Sequence, residues 1–117
     1  MVSERILKIN KHVQRTVSEI LTESADIPQG VLVTISRVET TPNIRFSKIW
    51  LYINPGTRAE ETLDRLKKQM YDIQGEFNRA MHLHPLPRLS FRHDTGLDYA
   101  DTINKKLNEL TEEDTGQ

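Results

Sequence analysis

Two hydrophobic rhythms follow one another along the chain. Ile6, Ile9, Val13, Val17 and Ile20 recur at three and four residues, the spacing of a helix that buries one face. Ser3 stands where an N-cap belongs, and the turn cluster 26–30 (DIPQG) closes the run, so a first helix is predicted between them. The rhythm then becomes that of strands. Residues 31–39 (VLVTISRVE) and 44–53 (IRFSKIWLYI) are dense in β-branched and aromatic residues, and Thr41, Pro42 and Asn43 mark a turn between them, which predicts a hairpin. In its second strand Ile49, Leu51 and Ile53 share one face while Lys48, Trp50 and Tyr52 share the other, and helices are expected over the first.

Past Pro55 and Gly56, residues 57–60 (TRAE) read as a capping box opening a helix carried by Leu63, Leu66, Met70, Ile73 and Phe77. Gly75 predicts a kink or a short break, because glycine inside a helix costs about 1 kcal/mol relative to alanine. Pro85 and Pro87 end the helical stretch, and 88–93 (RLSFRH) alternates as a third strand with Leu89 and Phe91 inward. Residues 95–98 (TGLD) can cap a last helix built on Leu97, Ala100, Ile103, Leu107 and Leu110. The order α-β-β-α-α-β, plus that C-terminal helix, predicts an α+β fold, a three-stranded sheet with helices packed on one face. Residues 1–110 read as one domain and 111–117 (TEEDTGQ) as an acidic flexible tail.

Composition narrows the function classes. A chain of 117 residues, 36% hydrophobic, suffices for one core. With no cysteine there is no disulfide framework, thiol nucleophile or cysteine-based zinc site, and a reducing compartment fits. Apolar runs stay far below the ~20 residues that span a bilayer, and the charged N-terminus lacks a signal-peptide pattern. A soluble cytoplasmic protein with no membrane partner is expected. There is no glycine-rich phosphate loop, G-x-S-x-G or H-E-x-x-H, and His82 and His84 lack a third ligand. The chain is therefore read as no enzyme, with no catalytic residue, metal, cofactor or small-molecule substrate.

Charge supplies the positive signal. The formal net charge is −1, yet residues 1–93 hold fourteen Lys and Arg against ten Asp and Glu, while 94–117 hold two against seven. Within the basic body, Arg5, Lys8, His12 and Arg15 follow one another by three, four and three residues, with Lys11 beside them, so the first helix carries a row of cations. Nothing between Arg5 and Arg15 is acidic, whereas a face built only for solubility mixes signs. Such a row suits phosphates, each neutralised contact releasing counterions. Arg45, Lys48, Arg79 and His82 are the secondary candidates for phosphate contact.

The element order is that of a type II KH domain, which grips nucleic acid through a G-x-x-G segment between its two middle helices. That junction is expected near 75–78 (GEFN), where the single glycine leaves the usual phosphate clamp incomplete. A sequence-specific reader of single strands by that route is not favoured.

In detail, Arg5, Lys8 and Ile9 with Ile20 and Leu21, then Asp26 and Gly30 before 33–39 (VTISRVE), then 43–51 (NIRFSKIWL), and finally Leu83, Pro87, Leu89, Phe91 and Asp94 form ordered blocks over residues 3 to about 100. Together they resemble the ribosome-binding factor A family, a KH-like group without the standard clamp. The family's Ala-x-Gly kink falls near Gln69, Met70 and Tyr71 with neither residue kept, which shifts the expected kink toward Gly75 or removes it. Its Asp-Pro-Arg-Leu-Gly segment is here 26–30 (DIPQG), without the arginine. The resemblance implies a monomeric, cytoplasmic ribosome biogenesis factor, often important in the cold. Such a factor binds the free 30S small ribosomal subunit, touches 16S rRNA, and assists late maturation and 5′-end processing of that RNA. The alternative is a protein-interaction module that uses the open sheet face around Trp50 and Tyr52.

Overall fold

The computed structural model describes residues 3–82 and 85–96. Helix α1, Glu4–Glu23, starts on Ser3, whose hydroxyl accepts a hydrogen bond from the Ile6 amide at 3.2 Å. Strand β1, Leu32–Thr40, and strand β2, Phe46–Asn54, pair antiparallel. A 3-10 turn, Gly56–Arg58, leads into α2, Ala59–Lys68, which is followed by α3, Met70–Ala80, and by β3, Arg88–Asp94. The sheet order is β1-β2-β3, with β3 parallel to the central β2. A strand, two helices and a parallel strand make a crossover, which puts α2 and α3 on the same side of the sheet.

The core lies between that side and the helices. Ile49 and Leu51 of β2 are fully buried and meet Ile35 and Val38 of β1, Leu89 and Phe91 of β3, and the stripe of α1 that includes Val13 and Val17. Leu66 of α2 and Phe77 of α3 close it. Thr40 and Ser47, buried on the same side, satisfy each other across the hairpin at 2.8 Å. The alternation read from the sequence therefore holds, except that Ser36 bulges out of register between Ile35 and Arg37 and gives its hydroxyl to the Trp50 carbonyl.

Helix α2 opens differently from the expectation. No capping box forms at 57–60, because Pro55 leads into one 3-10 turn and the α-helix begins only at Ala59. That turn is held by the Arg58 amide on the Pro55 carbonyl and by the Arg58 guanidinium on Glu61 at 2.7 Å. The hydrogen bond from Arg58 holds the exposed Glu61 carboxyl below its ordinary range. A second arm of Arg58 reaches the Gln29 carbonyl at 2.7 Å and ties the loop after α1 to the 3-10 turn after β2.

Gly75 does not mark the break either; it lies inside α3, and the chain breaks at Gln69, with φ −92° and ψ 2°. The cause is a side chain. Gln69 accepts from the Asp26 amide at 2.7 Å and donates to the Asp26 carbonyl at 2.8 Å, clipping the break to the loop after α1 without glycine. A Cβ on Gly75 would meet only the flexible tip of Arg79, at 3.4 Å. Gly75→Ala is therefore expected to stabilise the domain by about 0.5–1 kcal/mol in urea unfolding. Destabilisation would mean that this glycine serves the backbone. The predicted C-terminal helix and the acidic tail lie outside the described residues.

Candidate nucleic-acid interface

Burial of Ile6, Ile9, Val13, Thr16, Val17 and Ile20 fixes how α1 is rolled on the sheet, and it leaves Arg5, Lys8, Lys11, His12 and Arg15 all exposed. From Arg5 to Arg15 the row extends about 15 Å along the axis. Among the described residues Arg5, Lys8 and Lys11 take part in no ion pair, and Arg15 has one loose, exposed contact with Glu19 at 3.7 Å. Pairs of that kind contribute little and do not neutralise the surface.

Helix stability does not account for this placement. A helix gains from anions in its first turn and cations in its last, by about 0.3–1 kcal/mol each. Helix α2 obeys, with Glu60 and Glu61 at its start and Arg65, Lys67 and Lys68 at its end, so those lysines have a local reason to be there. Helix α1 has no basic residue in its last turn, and its cations begin at Arg5, beside the positive end of its own dipole.

The other sequence candidates divide. His82 is exposed and follows Met81, whose sulfur receives the Thr16 hydroxyl of α1 at 3.5 Å. Arg45 sits at the hairpin end with its amide held by Asn43 at 3.1 Å, next to Ile44. Ile44 takes a φ of +60°, rare for a β-branched residue, and its buried side chain keeps that corner in place. Arg79 is exposed, but its guanidinium lies back over Gly75 along α3. Lys48 is not part of the same surface, because Ile49 faces the helices and Lys48 therefore faces the far side of the sheet.

Among the described residues the nucleic-acid clamp of KH domains has no counterpart. The junction between α2 and α3 is Lys68, Gln69 and Met70 rather than 75–78, and it contains no glycine. A groove beside it runs between α2 and the edge strand β3, lined by Leu63, Lys67, Met70, Phe91 and His93. Among the described residues no group of three or more His, Asp or Glu could hold a metal ion. No helix among them is long and apolar enough to cross a membrane.

A family model described as ribosome-binding factor A matches residues 5–107. The chain belongs to the ribosome-binding factor A family. The ribosome-binding factor A of Cupriavidus pinatubonensis is 28% identical over 108 residues, 92% of this chain and 88% of that protein. That of Clostridium perfringens is 29% identical over 115 residues, 96% and 99% of the two chains. The crystal structure of ribosome-binding factor A from Thermus thermophilus aligns with a TM-score of 0.67, covering 75% of this chain and 94% of that one at 17% identity. At such identity this likeness carries the fold, and it agrees with the α+β, KH-like architecture.

Proposed function

We propose that this chain is a non-catalytic ribosome biogenesis factor that binds the free 30S small ribosomal subunit and lays the α1 cations on phosphates of 16S rRNA. Arg5, Lys8, Lys11 and Arg15 make the principal contacts, with His12 at their margin, His82 as a secondary contact and Arg45 and Arg79 on adjoining corners. The observation that carries this reading is the exposed, largely unpaired row on α1, with none of its cations in the last turn, where the helix dipole would favour them. The family adds the partner, since its curated relatives are named for ribosome binding. The finer steps come from the same likeness: action in the cytoplasm as a monomer, late in subunit maturation, with support for 5′-end processing of 16S rRNA and departure before translation.

Sedimentation of cell extract tests it. The protein is expected with free small subunits and not with complete ribosomes, and its depletion is expected to leave 16S rRNA with an unprocessed 5′ end. Equal distribution over complete ribosomes, or normal 5′ ends after depletion, would count against it.

The rival reading, a protein-interaction module on the open sheet face, finds less support at Trp50. Trp50 is half-buried, its ring lies under the Arg37 guanidinium at 4.4 Å, and its indole N–H donates to Glu39, so it is not a bare apolar patch.

A further inference from the structure

The far side of the sheet has its own chemistry, on a surface that the α1 row does not reach. Parallel pairing of β2 with β3 sets Phe46 opposite Arg88, Lys48 opposite Ser90 and Trp50 opposite Arg92, all on the face turned away from the helices. Adjacent strands lie about 4.8 Å apart, so each aromatic ring has an arginine as its lateral neighbour. Phe46 is 53% exposed, one of few large apolar side chains left open to solvent. Lys48, Arg88 and Arg92 are exposed and make no ion pair among the described residues. The acids on this face are engaged. Glu39 is bound by the Trp50 indole and by Arg37 at 3.2 Å, and Asp94 is buried and accepts from the Gly96 amide.

We infer that this face binds an unpaired RNA strand, with a base stacked on Phe46 and backbone phosphates on Lys48, Arg88 and Arg92. An isolated exposed ring among unpaired cations matches the two needs of single-stranded nucleic acid, a flat apolar surface for a base and positive charge for its backbone. A protein partner would want a larger apolar patch with the charges at its rim, whereas here a single exposed ring has Arg88 beside it and Lys48 two residues along the strand, with Arg92 further on beside Trp50. Trp50 contributes less to stacking because Arg37 already covers one of its faces. The inference rests on the reading that this chain contacts RNA, and it adds a second surface of different specificity.

Trp50 is the only tryptophan in the chain and stands on this face, so its fluorescence reports occupancy. A uridine octamer, which cannot pair with itself, is expected to quench Trp50 in the full-length protein. Phe46→Ala and Phe46→Leu should each weaken the octamer about 10- to 100-fold, while Phe46→Tyr keeps it within about threefold. Arg88→Gln or Arg92→Gln should reduce the slope of log affinity against log salt by about 0.7 each. Equal octamer affinity in native protein, Phe46→Ala and Phe46→Tyr would overturn the inference. So would a concentration-dependent dimer that Phe46→Ala dissolves without changing octamer affinity, which would make the face a contact between two copies of the chain. If the octamer fails to bind while small subunits still do, the sheet site falls and the α1 site stands. If the octamer binds through Phe46 while small subunits do not bind at all, the α1 reading falls and the sheet site stands.

Discussion

Reversing Arg5, Lys8 and Arg15 together to glutamate is expected to abolish co-sedimentation with purified small subunits at moderate salt. Each charged contact to phosphate contributes on the order of 1.5–3 kcal/mol, and reversal adds repulsion to the loss. Three such changes put the affinity at least about a thousandfold lower. The fold should not notice, because all three side chains are exposed and only Arg15 has a partner, itself loose. Substitutions of that kind normally shift stability by less than about 0.5 kcal/mol, although Glu at position 5 gains from the helix dipole and offsets part of any cost. A melting temperature unchanged within a few degrees, with binding gone, separates surface from scaffold. Binding retained at moderate salt would remove α1 from the interface.

Phe77→Ala should have the largest effect on stability. Phe77 is fully buried where α3 closes the core over the sheet, and truncating such a ring leaves a cavity as well as losing its transfer energy. The expected cost is about 3–5 kcal/mol, a large share of the 5–15 kcal/mol that holds an ordinary domain together. In thermal melts followed by circular dichroism this means a fall of more than about 12 °C. Tyr71, on the same helix but 90% exposed, provides the contrast, and Tyr71→Ala should stay within about 0.5 kcal/mol of the native protein. A cost below about 1 kcal/mol for Phe77→Ala would show that α3 is not packed as described.

How much of this could be read beforehand depends on the kind of signal. Periodicity was enough for α1 and its buried stripe, for the hairpin and for the inward faces of β2 and β3, because apolar residues on those elements have no other place to go. Glycine as a helix breaker points to Gly75, whereas the chain turns at Gln69, whose two-way bond to the Asp26 backbone is a tertiary contact with no local signature. Likewise the capping box at 57–60 fits the pattern but loses to the 3-10 turn that follows Pro55. For the interface, the α1 row was legible because it follows the same periodicity as the core it opposes. Lys48, a secondary candidate by charge, is placed with Trp50 and away from the helices by strand alternation. The Phe46–Arg88 pairing was missed because it depends on β3 lying parallel to β2. Two helices between strands are the signal that could have shown it.

Salt titration of binding to purified 30S subunits bears most directly on phosphate contact by α1. With Arg5, Lys8, Lys11 and Arg15 each displacing counterions, this face should contribute about −3 to −4 to the slope of log affinity against log salt. The triple reversal should remove most of that contribution. A native slope near zero, or a slope that the reversed protein shares, would contradict it.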